Sequence, residues 1–213
     1  MAEIDHIVIG ARTLEEGARY VEDLLGVKPS KGGAHPGAGT HNMLLGMGAN
    51  CYIEIIAPDP AQPDPPHPRP FDLDEGAMRT MLEAEPRLIA YVVSTPALDA
   101  VIARLGPSHA GEIKSMSRGT LSWRMAFPPQ RQDMNNIIPP LIQWEGERAA
   151  RHIRDSGWRL TSLEAEHPEM QAVRSALDAR GLSDAVKLRQ SPHPRLIAHL
   201  RHRDGREVTL TSA

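Results

Sequence analysis

The chain has 213 residues, with 24 Lys plus Arg against 27 Asp plus Glu and a formal net charge of −3. That is more than one domain of roughly 150 residues and less than two. With 40% hydrophobic and 24% charged residues, the composition excludes disorder, collagen and coiled coil. No basic excess is present to bind a phosphate backbone, and 4% aromatics leaves few stacking platforms, so no nucleic-acid partner is expected. No apolar run approaches the roughly 20 residues of a bilayer span, so no membrane partner is expected either. A single cysteine, Cys51, cannot form an internal disulfide, and the opening residues lack a secretory pattern. The expected location is cytoplasmic.

In chain order, the first predicted strand runs from Ile4 to Ile9. Thr13 followed by Glu16 reads as a capping box opening a helix, with Leu14, Ala18, Val21 and Leu25 on one face and Gly26 as its stop. Strands are predicted at Thr40 to Met47 and Cys51 to Ala57. The next segment, Pro58 to Pro70, holds seven prolines, which remove backbone donors and fix φ, so it reads as a stiff linker. The grammar then restarts. A strand at Leu88 to Val93 leads to Thr95-Pro96 as N-cap and first helical residue, an apolar stripe of Leu98, Val101, Ile102 and Leu105, and Gly106. Strands follow at Gly111 to Ser117, Leu121 to Phe127 and Leu141 to Glu145.

A third round begins with a strand at Arg159 to Ala165 and a helix at Pro168 to Arg180, closed by Gly181. Strands at Val186 to Gln190, Leu196 to His202 and Arg206 to Thr211 complete it, the last two joined through the hairpin pair Asp204-Gly205. The fold class is therefore α+β, built from repeated βαβββ modules. Residues 1–58 form the first module, 59–86 a Pro-rich linker and short helix, 87–148 the second module, and 149–213 a third βαβββ-like module. This last module is expected to pack on the others as a lid or edge extension, or to pair with its equivalent in a homodimer.

Two residues stand out chemically. His6 alternates onto one strand face with Ile4 and Val8, leaving Asp5, Ile7 and Ile9 on the other. It is either a hydrogen-bonded core residue or a functional one. Glu54 sits between Ile53 and Ile55, where a carboxylate must be paired, protonated or bound to a cation. The stretch Gly32 to Asn42 holds four glycines, a proline and two histidines, suiting a loop whose backbone approaches a ligand closely. It has neither a phosphate-loop ending nor Gly-x-Gly-x-x-Gly spacing, so no nucleotide cofactor is expected.

His6 within Ile4-Asp5-His6-Ile7-Val8 and Glu54 within Tyr52-Ile53-Glu54-Ile55 resemble the first-strand His and last-strand Glu of the vicinal oxygen chelate superfamily. That superfamily includes glyoxalase I, extradiol dioxygenases and bleomycin-resistance proteins. The stretch Gly32 to Asn42 and Leu141-Ile142-Gln143-Trp144-Glu145 resemble its glyoxalase-like domain subgroup, and the likeness covers most of residues 4 to 146. It implies two modules paired into a cup-shaped mixed sheet, with a small polar organic molecule in the hollow. It also implies lyase, isomerase or dioxygenase chemistry at a carbon next to an oxygen, with His6 and Glu54 catalytic. His35, Thr40, His41, Asn42 and Gln143 are candidate substrate contacts.

Alignment of the second module puts Ala90 opposite His6 and Gln143 opposite Glu54. The implied metal set is then His6 and Glu54 alone, fewer than the three protein ligands of a tight catalytic site. Glu145, or His35 or His41, could complete it. A divalent metal acting as Lewis acid and a metal-free site with Glu54 as base are both open. The rival reading is a resistance-type protein that binds or sequesters its small-molecule ligand without turnover.

Overall fold

The computed structural model describes residues 2–129 and 134–212. The first module comprises β1 (Glu3–Gly10), α1 (Leu14–Leu25), β2 (Ser30–His35), β3 (Thr40–Gly46) and β4 (Tyr52–Pro58). Thr13 caps α1 by accepting from the Glu16 N–H, while the Glu16 carboxylate pairs with Arg12 instead of closing the box. Gly26, at φ 69°, ends the helix in the left-handed region. Burying Val21 and Leu25 against the sheet contributes roughly 1.5–3 kcal/mol each. β2 corrects the sequence reading, in which its glycines marked a loop: Ser30–His35 pairs antiparallel with β3, with a register shift between Lys31 and Ala34.

After a helix α2 (Gly76–Ala84), the second module repeats the order with β5 (Arg87–Ser94), α3 (Leu98–Leu105), a short α4 (Pro107–Ala110), β6 (Ile113–Arg118), β7 (Leu121–Ala126) and β8 (Leu141–Trp144). The cap of α3 differs from expectation. Ala97 is the N-cap, and the Thr95 hydroxyl accepts from the Ala97 N–H one residue too early. The Leu98 N–H donates instead to the Gln143 side-chain oxygen, 2.8 Å away.

The strands of both modules make one eight-stranded sheet, in the order β2-β3-β4-β1-β5-β8-β7-β6. Within each module the first strand runs parallel to the last (β1 with β4, β5 with β8), and β1 and β5 join the modules antiparallel. The sheet curls into a nearly closed cup. Arg118 on the edge strand β6 donates to Asn42 on β3, and its side chain fills the space beside Gly33 on the opposite edge strand β2.

The chain from 158 onward has the predicted order, β9 (Trp158–His167), α5 (Met170–Asp178), β10 (Lys187–Gln190), β11 (Arg195–His202) and β12 (Glu207–Thr211), but not the module pairing. Its strands are ordered β10-β9-β11-β12, with β9 parallel to β10 and antiparallel to β11. In the cup, the free edge of each first strand is taken by the other module. β9 has no such partner, and β11 occupies its second edge.

This second sheet covers the convex back of the cup. Ile7, Ile9, Tyr91 and Val93, which face away from the hollow, share one core with Trp158, Leu163, Leu196, Leu200 and Leu210. Trp158 is fully buried there, and its indole N–H donates to the Leu25 carbonyl at 3.0 Å. Ser156 anchors the approach through its hydroxyl, which donates to the Gly46 carbonyl. Among the described residues, no helix is long and apolar enough to cross a membrane.

Candidate functional site

The Pro-rich segment is more than a spacer, because Pro66 to Asp72 form part of a cavity wall. Arg69 pins this strap, donating to the Gly39 carbonyl at 2.9 Å and pairing with Asp64 and Asp74 at 2.7 Å each. Phe71 and Asp72 then adopt φ of 58°, a left-handed backbone that costs roughly 1–2 kcal/mol per non-glycine residue. The turn seats the Phe71 ring in the apolar cluster with Val8, Ile56, Val92, Trp123 and Ile142.

The cavity inside the cup measures about 880 Å³. Its floor is built from β1, β3 and β4, which bring together residues far apart in the chain. His6 Nε2 lies 3.4 Å from Glu54 Oε2, and both side chains are at least nine-tenths buried. Behind His6, its Nδ1–H donates to Asp5 Oδ1 at 2.8 Å, and the Trp144 indole N–H donates to Asp5 Oδ2 at 2.8 Å. Tyr52 stacks on the His6 ring, with centroids 4.5 Å apart.

Strict alternation would put Asp5 on the far side of the sheet from His6. The β1–β5 register shifts between Ile4 and His6, so Asp5 is the extra residue of a bulge, which re-aims its side chain.

Glu54 Oε1 accepts from Asn42 Nδ2 at 2.6 Å. The same amide nitrogen donates to His35 Nε2 at 3.1 Å, and His35 Nδ1–H donates to Thr40 Oγ1 at 2.9 Å. On its other side, Asn42 Oδ1 accepts from the Gly33 N–H at 2.9 Å and from Arg118 Nη1 at 3.1 Å. All four hydrogen-bonding positions of this amide are therefore satisfied, which fixes its orientation. The paired glycines make the contact possible. A Cβ on Gly32 would sit 2.0 Å from Asn42 Oδ1, and one on Gly33 would sit 2.9 Å from Arg118 Cδ.

The electrostatics follow from these contacts. Burial disfavours a charged His6, but hydrogen bonds to Asp5 and Glu54 and their charges outweigh it, raising its pKa to about 9. Burial likewise pushes Glu54 up, and the contact and charge of His6 together with the Asn42 hydrogen bond override it, holding the carboxyl well below its usual range. The resting pair is thus imidazolium and carboxylate. His35 is pushed down by burial and by the Arg118 charge, so it stays neutral, consistent with an Nε2 that accepts.

Of the residues singled out from the sequence, His6, Glu54, His35, Thr40 and Asn42 meet at the cavity floor. His41 and Gln143 do not line it. His41 lies on the opposite strand face, 3.7 Å from Asp59. Gln143 caps α3 on the outer side, and Glu145 is exposed beside Arg124. The β8 residues that line the hollow are Ile142 and Trp144. Among the described residues, the donors a metal would meet at the floor are therefore His6 Nε2 and Glu54 Oε2. Among the described residues, no group of three or more His, Cys, Asp or Glu is arranged to hold an ion. Sequence reasoning missed Asp5, Tyr52 and Phe71 as parts of the site.

The profile of the glyoxalase-like domain family matches residues 4–181. Among solved structures, a hypothetical protein from Staphylococcus aureus superposes with a TM-score of 0.57 at 18% identity, covering 98% of this chain and 85% of that one. Its likeness therefore extends over the second sheet as well as the cup. A methylmalonyl-CoA epimerase from Mycobacterium tuberculosis gives a TM-score of 0.43 at 19% identity, covering 67% and 87% of the two chains. One from Streptomyces coelicolor gives 0.46 at 15%, covering 69% and 97%. No curated protein matches the sequence. With the profile matched over most of its length and two βαβββ modules closing one cup, the chain belongs to the glyoxalase-like domain family.

Proposed function

We propose that the protein moves a proton at a carbon adjacent to a carbonyl in a small organic molecule held in the cup, with Glu54 as base and His6 as its acid partner. The observation that carries this reading is the buried His6–Glu54 ion pair facing an 880 Å³ cavity. A desolvated charge pair is a poor stabiliser of a fold, and perturbed titratable groups in a cleft mark functional sites.

The chemistry follows from what holds the pair in place. At rest the His6 N–H faces Glu54. A substrate carbonyl entering the cup takes that hydrogen bond for itself. Glu54 then loses the contact that depresses its pKa while its burial, which raises it, remains. The carboxylate becomes a stronger base as the imidazolium begins to stabilise the substrate oxygen. The C–H bond breaks, its proton passes to Glu54, and the enolate oxygen is held by the His6 N–H. Return of the proton to the same carbon or to another gives exchange or isomerisation.

Among the described residues, no tight metal set is formed. His35 Nε2 is engaged by Asn42, and Ala90, Ile142 and Trp144 in the other half of the cup offer no donor. Two ligands fall short of the usual three. The proton transfer proposed here therefore passes through no ion.

The test is deuterium incorporation from D2O next to the carbonyl of phenylpyruvate and smaller 2-oxo acids, followed by NMR. Glu54→Gln and His6→Ala are each expected to slow it about 10²- to 10⁴-fold. Exchange that proceeds equally in both variants would overturn the assignment. A molecule bound tightly by wild type without exchange would favour sequestration, the reading suggested by the ligand-free second half of the cup.

A further inference from the structure

We infer that the molecule held in the cup is a carboxylate with an apolar, aromatic-sized body, its anionic end held by Arg118. This rests on the proposed proton transfer only for where the reacting carbon lies; the anion site stands on separate observations.

Arg118 reaches inward from β6 into the cavity, partly buried, and gives one N–H to Asn42. Among the described residues it pairs with no carboxylate. The other arginines of the region are neutralised: Arg69 by Asp64 and Asp74, and Arg124 on the outer side by a two-pronged contact with Asp99 at 2.9 and 2.8 Å. A guanidinium withdrawn from bulk water beside a neutral amide leaves its remaining N–H groups for a ligand, and its planar fork matches a carboxylate. Lys114 also lines the cavity, but four residues away along β6 and directly beside Met125, so the anion site rests on Arg118.

The glycine at position 33 argues that the placement is built in. Any side chain there would displace the Arg118 methylene at 2.9 Å.

The rest of the cavity sets the ligand's shape. Within the cavity, Phe71, Trp123, Met125, Ile142 and Trp144 present an apolar surface. A two- or three-carbon acid would leave this wall wet, whereas an aryl or branched acyl group would cover it. Asp72 lines the strap side, where the Asn136 side-chain amide donates to it at 3.3 Å. The Asn42 amide bridges Arg118 to Glu54 directly. A carboxylate on Arg118 therefore brings the carbons a few bonds away from it to the base.

Isothermal titration with phenylpyruvate and its neutral methyl ester tests the inference. Wild type should bind the acid about 10- to 100-fold more tightly than the ester, the scale of a charge-assisted hydrogen bond. Arg118→Gln should abolish that preference, and Arg118→Lys should restore part of it. Failure of wild type to bind the acid, equal affinity for acid and ester, or unchanged acid binding in Arg118→Gln would each overturn it. The acid-to-ester comparison in wild type needs no variant to fold. Preferential acid binding without deuterium exchange would support the anion site and overturn only the proton transfer.

Discussion

Replacing His6 by Gln removes the imidazolium of the buried pair and should flatten one segment of the stability–pH curve. In the folded state the His6 pKa rises from 6.5 to about 9. The side chain is almost fully enclosed, so solvent screening does not reduce the effect. Folding thus favours the charged ring, and the stabilisation is complete below pH 6.5 and lost as pH rises through 9. Moving a titration by that span corresponds to roughly 3 kcal/mol at 25 °C. The depressed Glu54 pKa describes the same contact from the other side, with stability lost as pH falls below the usual carboxylate range, and the two are not summed.

The assay is urea unfolding of wild type and His6→Gln from pH 6 to 10 at constant ionic strength. The difference between the two curves cancels titrating groups away from the pair; Glu54, left without its partner in the variant, is the exception. It should shrink by roughly 3 kcal/mol across that window, on top of any constant offset from the substitution itself. A difference that stays flat with pH would refute the buried imidazolium and the mechanism that uses it.

Two other substitutions probe the frame around the site. Trp158→Ala empties a fully buried position between cup and second sheet, and should cost about 3–5 kcal/mol, lowering Tm by roughly 10 °C in one cooperative transition; calorimetry showing two separate transitions would mean the sheets unfold independently. Gln143→Ala removes the side-chain cap of α3 and should cost about 0.5–2 kcal/mol by denaturation while leaving phenylpyruvate affinity unchanged, since Gln143 faces away from the hollow.

Local signals carried much of the fold. Alternating apolar runs placed β1, β4 and β5 within a residue or two, and the glycines at 26, 106 and 181 stopped helices where left-handed backbone was needed. His6 and Glu54 were legible because a titratable group among buried aliphatics has no cheap explanation. β2 was not legible, because Gly32 and Gly33 carry no strand propensity. They are there for the close approach of Asn42 and Arg118, residues contributed by other strands.

The remaining features depended on how distant strands meet. Alternation assigned Asp5 to the wrong face because a bulge arises from pairing with β5, a partner nearly ninety residues further along the chain. It could not say which side of β8 faces the hollow, so Gln143 could be read as a substrate contact and Glu145 as a metal ligand until the register set Ile142 and Trp144 inward. The third βαβββ order was correctly read, yet its strands pair differently because hydrogen-bonding edges are allotted by whichever strands are in reach. Sequence by itself thus determined most of the elements, β2 excepted, and singled out His6 and Glu54, each resting on the character of a few neighbouring residues. Tertiary structure alone decided the closure of the cup, the inward turn of Arg118 and the covering of the cup's back, since each is a contact between segments whose local chemistry is silent about the other.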